Sequence, residues 1–248
     1  MKTLYSIIFI IPVFILLFGC SSSTDSTEEP PIVTPPPAEQ ELLYFWFFDE
    51  SIPNDVELEW VDATFSGSKS SAVIEFQSAL SNYPDTDRNA SMERRNRPTA
   101  INYQPAGNQN IPYSEVQEIM RGIQVKEPFV GDAGENSLIL SLPMIGYERA
   151  ILKFAAMDEG AAQKLRFDYS ISAGTAQWIT AGLKTDQIEQ NIVSGEFLPI
   201  EVDFTGISSI NNNPDFKVRI RFIVENGTRN EGDRVAFNNF SLEAAPQN

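Results

Sequence analysis

The sequence predicts an all-β domain: a two-sheet antiparallel jelly-roll β-sandwich, preceded by a signal peptide and a disordered Pro/Ser/Thr tether. Three observations lead there. Two runs alternate apolar and polar side chains with period two, the mark of half-buried antiparallel strands. In "KLRFDYSIS", Leu165, Phe167, Tyr169 and Ile171 share one face, and Lys164, Arg166, Asp168 and Ser170 share the other. In "KVRIRFIV", Val218, Ile220, Phe222 and Val224 face inward, opposite Lys217, Arg219 and Arg221. Second, turn signals punctuate the chain at short intervals, at 131–134, 143–146, 158–160, 211–214 and 226–227. Third, no long amphipathic helix is present; the best short candidate is 113–120.

The elements follow in order. Lys2 precedes an apolar run from Ile7 to Phe18 that ends in small residues. That run is too short to span a bilayer core of about 30 Å, and its layout is that of a secretory signal over residues 1–19. An anchor that is never cleaved is the alternative. Residues 20–40 hold Cys20 and then a stretch with five prolines and seven serines or threonines, with almost nothing to bury. Such a stretch is a tether, reaching at most about 60 Å at about 3.1 Å per residue. The folded domain is expected over 41–248, long enough for one sizeable core. Beyond the two alternating runs, strands are expected at 42–48, 57–65, 71–77, 118–126, 137–142, 149–156, 177–181, 197–204 and 234–243. In the last of these Val235 and Phe237 alternate in one phase, Phe240 and Leu242 in the other. The slip predicts a bulge near Asn238-Asn239.

Leu17-Phe18-Gly19-Cys20 resembles the lipobox of bacterial lipoproteins. The resemblance implies that the Cys20 thiol receives diacylglycerol and that Cys20 becomes the mature N-terminus. Several acyl chains on one residue anchor durably, at about 0.8 kcal/mol per buried CH₂. The lone cysteine has no partner within the chain, so a disulfide is excluded. Ser21, in place of an inner-membrane retention aspartate, and the acidic Asp25, Glu28 and Glu29 are similar to the export region of Bacteroidota surface lipoproteins. The expected location is the outer membrane, lipid-anchored, on the cell surface. The closing strand resembles that of jelly-roll carbohydrate-binding modules of the galactose-binding-like group. In many of those an aspartate holds a structural calcium; here asparagine stands at 238 and 239. "LLYFWFFDE", "GENSLILSLPMIGYERAILKFAA" and "NNNPDFKVRIRF" are similar to a Bacteroidota β-sandwich domain, over most of residues 42–243.

Charge and composition exclude several chemistries. Removal of Lys2 leaves 17 basic against 34 acidic side chains, a mature charge of −17. Such a surface repels nucleic acid. Histidine is absent, which excludes Ser-His-Asp and Cys-His mechanisms and histidine-bound zinc. A metal would need oxygen ligands. Asp132, Glu135, Asp158 and Glu159 flank glycine turns and are the candidate ligands for a structural calcium; the plain alternative is solvated turn residues.

"RNASMERRNR", residues 88–97, carries four of the eleven arginines. Read as a loop, it places Arg94, Arg95 and Arg97 to grip carboxylates or phosphates, with Asn102, Tyr103 and Tyr113 beyond it suited to a sugar. The competing reading pairs the arginines with the protein's own acids. Trp46, Trp60 and Trp178 are expected in the core. No cofactor is expected. The leading functional expectation is a non-catalytic, surface-anchored lipoprotein with a ligand-binding sandwich that takes glycan. A structural or adhesive envelope protein acting by protein–protein contact is the alternative. A glycoside hydrolase would need two carboxylates about 5–9.5 Å apart, and no feature selects such a pair.

Overall fold

A computed structural model describes residues 38–84, 89–97, 120–225 and 232–247. The chain separates into two units, Met1–Pro36 and Pro37–Asn248, and the fold described is that of the second. It is an antiparallel, two-sheet jelly-roll sandwich; the described residues form fifteen strands, thirteen in the two sheets and two in a separate hairpin: β1 (Glu41–Phe45), β2 (Trp60–Asp62), β3 (Phe65–Ser66), β4 (Val73–Gln77), β5 (Met92–Arg95), β6 (Gly122–Lys126), β7 (Val130–Gly131), β8 (Gly134–Glu135), β9 (Ser137–Ser141), β10 (Tyr147–Glu159), β11 (Lys164–Ser170), β12 (Glu189–Asn191), β13 (Leu198–Asp203), β14 (Lys217–Ile223) and β15 (Arg234–Pro246). Helix is confined to one turn, α1 (Thr185–Ile188), and a 3-10 turn at Ser208–Ile210. No helix among the described residues is long and apolar enough to cross a membrane.

The first sheet runs β13-β10-β15-β1-β3. The long β15 carries β10 along one edge and two strands in line along the other, β6 against 234–237 and β1 against 241–244; β5 pairs with β6. The second sheet runs β12-β11-β14-β9-β4-β2, and β7 and β8 form a small hairpin apart. The chain crosses repeatedly between sheets, so each sheet buries one face against the other. Phe154 of β10 meets Phe167 of β11 at 6.1 Å and Phe240 of β15 at 4.5 Å, which places the aromatic centre of the core between the layers.

The expected alternation in β11 and β14 holds: Leu165, Phe167, Val218, Ile220 and Phe222 are buried in the shared core. The expected bulge is also present. Lys153 and Ala155 of β10 face Ser241 and Asn238, so β15 spends one extra residue there, and Asn239 has φ of +42°. Two of the expected elements differ. The arginine segment is not a loop, since Met92–Arg95 pairs with β6 as a strand. Residues 177–181 form no strand beyond a single bridge between Ile179 and Tyr169. Most of the helix candidate 113–120 lies outside the described residues.

Candidate functional site

Two regions on the outer faces of the sandwich combine exposure with unused polar groups. The first is built on β5, β6 and β15. Strand alternation puts Met92 and Arg94 on the core side, opposite Val125 and Ile123, and Glu93 and Arg95 on the outer side, opposite Gln124 and Gly122. Arg234 stands opposite Lys126 on the same outer side. Gly122 is required here: a Cβ would lie 2.4 Å from the Phe237 carbonyl oxygen. Together Asp55, Glu93, Arg95, Asn96, Arg97, Gln124, Lys126 and Arg234 line a polar cleft of about 230 Å³.

Its charges are organised around two carboxylates. Glu159, at the end of β10, accepts from Arg95 Nε and Nη2 at 3.4 and 3.0 Å and from Arg234 Nε at 3.0 Å. Burial pushes its carboxyl up, but the hydrogen bonds and charges of Arg95 and Arg234 prevail and hold it below the usual carboxylate range. Glu93, 1% exposed, accepts from Lys126 Nζ at 2.7 Å, Ser91 Oγ at 3.0 Å and Gln124 Nε2 at 3.4 Å. Arg97 is exposed and its guanidinium has no ion-pair partner among the described residues. Its carbonyl accepts from Arg95 Nη1 at 3.3 Å, which ties the two arginines together.

The second region lies on the outer face of the other sheet. Trp60, Glu75, Ile139, Arg219 and Asp168 form one cross-strand row, followed by a second row of Gln77, Ser137 and Arg221. Trp60 is 57% exposed on the edge strand β2. It lines a groove of about 360 Å³ with Glu59, Glu75, Phe76, Gln77 and Ile139. Glu59, Glu75 and Gln77 are exposed, and the two carboxylates have no side-chain partner among the described residues. Farther along the row Asp168 accepts from Arg219 Nε and Nη2 at 2.9 and 2.8 Å and from Arg221 Nη2 at 2.9 Å. Trp178 stacks on Arg219, whose Cζ is 4.5 Å from the ring centre.

The structure divides the residues singled out in the sequence. Arg95 and Arg97 meet in the cleft; Arg94 faces the other way, its Nη2 3.4 Å from Asn96 Oδ1. Asn102, Tyr103, Tyr113 and Cys20 lie outside the described residues. The four acids proposed for calcium do not gather into one ligand set, and no group of three or more metal-binding side chains occurs among the described residues. Asp132 instead accepts from Ser81 N and Oγ at 3.0 and 2.7 Å, which holds its carboxyl below the usual range. Glu135 pairs with Arg221, and Asp158 Oδ1 receives the backbone N–H groups of Gly160, Ala161 and Ala162. Of the three tryptophans only Trp46 is in the core, its Nε1 donating to the Val61 carbonyl at 3.0 Å. Sequence reasoning missed Gln124, Lys126 and Arg234, which only sheet pairing brings to the cleft, and the exposure of Trp60.

No family model matches the chain, and no curated protein matches it. Among solved structures it is similar to the CBM22-1 xylan-binding domain from Paenibacillus barcinonensis Xyn10C, at 8% identity and a TM-score of 0.42, over 85% of this chain and 99% of that one. It is also similar to the K2 cleaved adhesin domain of Lys-gingipain, at 9% identity and a TM-score of 0.39, over 81% and 99% of the two chains. The K1 adhesin domain of the same protein from Porphyromonas gingivalis follows at 16% identity and a TM-score of 0.31, over 71% and 99%. All three likenesses are distant.

Proposed function

We propose that the chain is a non-catalytic lipoprotein, anchored by Cys20 in the outer membrane and displayed at the cell surface, whose sandwich binds glycan in the Trp60 groove. The observation that supports binding is the placement of Trp60: an indole 57% exposed, in register with Glu75 and beside Glu59 and Gln77. A large apolar ring held out to solvent adds little to the fold, but it offers a flat face to the C–H side of a pyranose ring. The neighbouring carboxylates and amide accept and donate hydrogen bonds to hydroxyls, the few placed polar groups that orient a ligand.

The test is a glycan array probed with the full chain in detergent, followed by titration of the best ligand. Trp60→Ala is expected to weaken binding about two- to tenfold, the scale of one aromatic stacking contact, with an unchanged melt. Absence of any glycan ligand, or a Trp60→Ala variant that binds as well as the parent, defeats the proposal. The anchor has its own test. Cys20→Ala is expected to abolish incorporation of a palmitate analogue and leave an uncleaved precursor; equal label in the variant would exclude lipidation at this residue.

A further inference from the structure

We infer that the cleft between β5, β6 and β15 is a second binding site, on the opposite side of the sandwich from Trp60, and that it takes the carboxylate of an acidic sugar. The charge count is specific. Arg95, Arg97, Lys126 and Arg234 face the cleft with Asp55 and Glu93, so among the described residues its lining carries four cations against two acids; outside the lining Glu159 holds two of the arginines and Glu57 stands opposite Glu93. In a chain with 34 acidic and 18 basic side chains, that is a local reversal of sign. The excess has a location: Arg97 has no carboxylate partner among the described residues, and the terminal nitrogens of Arg234 make no hydrogen bond to one. Both arginines present planar donor pairs that match the two oxygens of a carboxylate.

A phosphate dianion would be repelled by Glu93, which lines the cleft, is 1% exposed and already holds Lys126. The cation frame is also preset. Arg95 is 8% exposed, bound to Glu159 through two nitrogens and to the Arg97 carbonyl through a third. A preset frame reduces the ordering that a ligand must otherwise impose. The amides of Asn96 and Gln124 suit hydroxyls, and about 230 Å³ falls below the volume of drug-sized sites. A single sugar ring with one carboxylate is the matching ligand. The assignment to a sugar, rather than another carboxylate, rests on the glycan-binding reading above.

The test uses the full chain and saturation-transfer NMR with D-glucuronate and D-galacturonate, against glucose and galactose, inorganic phosphate and a tetraglutamate peptide. The expected result is transfer to at least one uronate, retained in Trp60→Ala. Arg97→Ala should weaken it at least about tenfold, and Arg97→Lys should lie between, since a point charge replaces a planar fork. Arg97 is exposed, so the variants should melt as the parent does. Absence of uronate binding, or uronate binding untouched by Arg97→Ala, overturns the site. Loss of uronate binding in Trp60→Ala alone assigns it to the groove and likewise overturns the second site. Equal binding of the neutral sugars or tighter binding of phosphate overturns the carboxylate assignment. Equal, Arg97-dependent binding of tetraglutamate overturns the assignment to a sugar while leaving the Trp60 groove intact.

Discussion

Both outer faces of the sandwich carry the same small device, one carboxylate held by two arginines, yet they end in different states. On the β11–β14 face Asp168 receives three guanidinium hydrogen bonds from Arg219 and Arg221, Arg221 also meets Glu135, and Trp178 covers Arg219. Two cations and two acids close on themselves. On the β5–β15 face Glu159 holds Arg95 and Arg234, and Glu93 holds Lys126, but Arg97 is left over beside a cleft. An arginine cluster is therefore not a site by virtue of its arginines. The number of carboxylates within reach decides whether it is a brace or a receptor.

The largest effect should come from breaking the closed device. Asp168 is 4% exposed, and its removal leaves Arg219 without an acid and Arg221 with Glu135 alone. Asp168→Ala is expected to lower unfolding stability by about 3–5 kcal/mol in denaturant titration, the usual cost of breaking a buried pair. Glu159→Gln should cost less, about 1–2 kcal/mol, because the Glu159 side chain is 15% exposed against 5% for Asp168 and the amide keeps an acceptor oxygen for the arginines. Equal losses would erase the contrast between brace and receptor.

Acidity sharpens the same comparison. Because the folded Glu159 carboxyl lies below its ordinary value of 4.5, its pairing contributes fully above about that pH and is lost as pH falls through the folded value. The stability gap between the parent chain and Glu159→Gln should be constant near neutrality and close on acidification below about pH 4.5. A gap that widened there would mean the carboxyl is raised, not lowered. The smallest effect is expected from Trp178→Ala, about 0.5–1 kcal/mol for a partly exposed cation–π contact. A loss as large as that of Asp168→Ala would make the indole, rather than the carboxylate, the main support of Arg219.

Much of the fold was legible in the sequence because β11 and β14 are half-buried strands whose alternation reports burial directly. The phase slip at Asn238-Asn239 was legible for the same reason. The strand β5 was not: "MERR" places Arg94 where the core-side alternation calls for an apolar residue, so the signal ends after Met92. Pairing with β6, distant in sequence, makes it a strand. The β12 segment "EQN" has no apolar residue to alternate. Trp60 was misread because Leu58 and Trp60 lie two apart and look like one buried face. Between them the chain leaves the edge of β5, where Leu58 N–H meets the Met92 carbonyl, and enters β2 of the other sheet. The phase changes at that crossing, so Leu58 and Val61 pack on the core and Trp60 faces out. The cleft was half legible: Arg95 and Arg97 stand out by composition, whereas Lys126 and Arg234 arrive only through the sheet.

The position of β15 has a consequence for how the domain is made. It is the hub of its sheet, bonded to β10, β1 and β6, and every other strand of that sheet precedes it in the chain. A ribosome adds roughly 5–20 residues per second from the N-terminus. β1, β6 and β10 therefore each emerge with the edge that meets β15 unanswered, and β1 waits through nearly the whole synthesis for its partner at 241–244. Contacts so far apart in sequence form slowly and late. The first sheet cannot close until Arg234–Pro246 has been delivered, so a chain cut short before that point would expose the edges of β1, β6 and β10 to any passing strand.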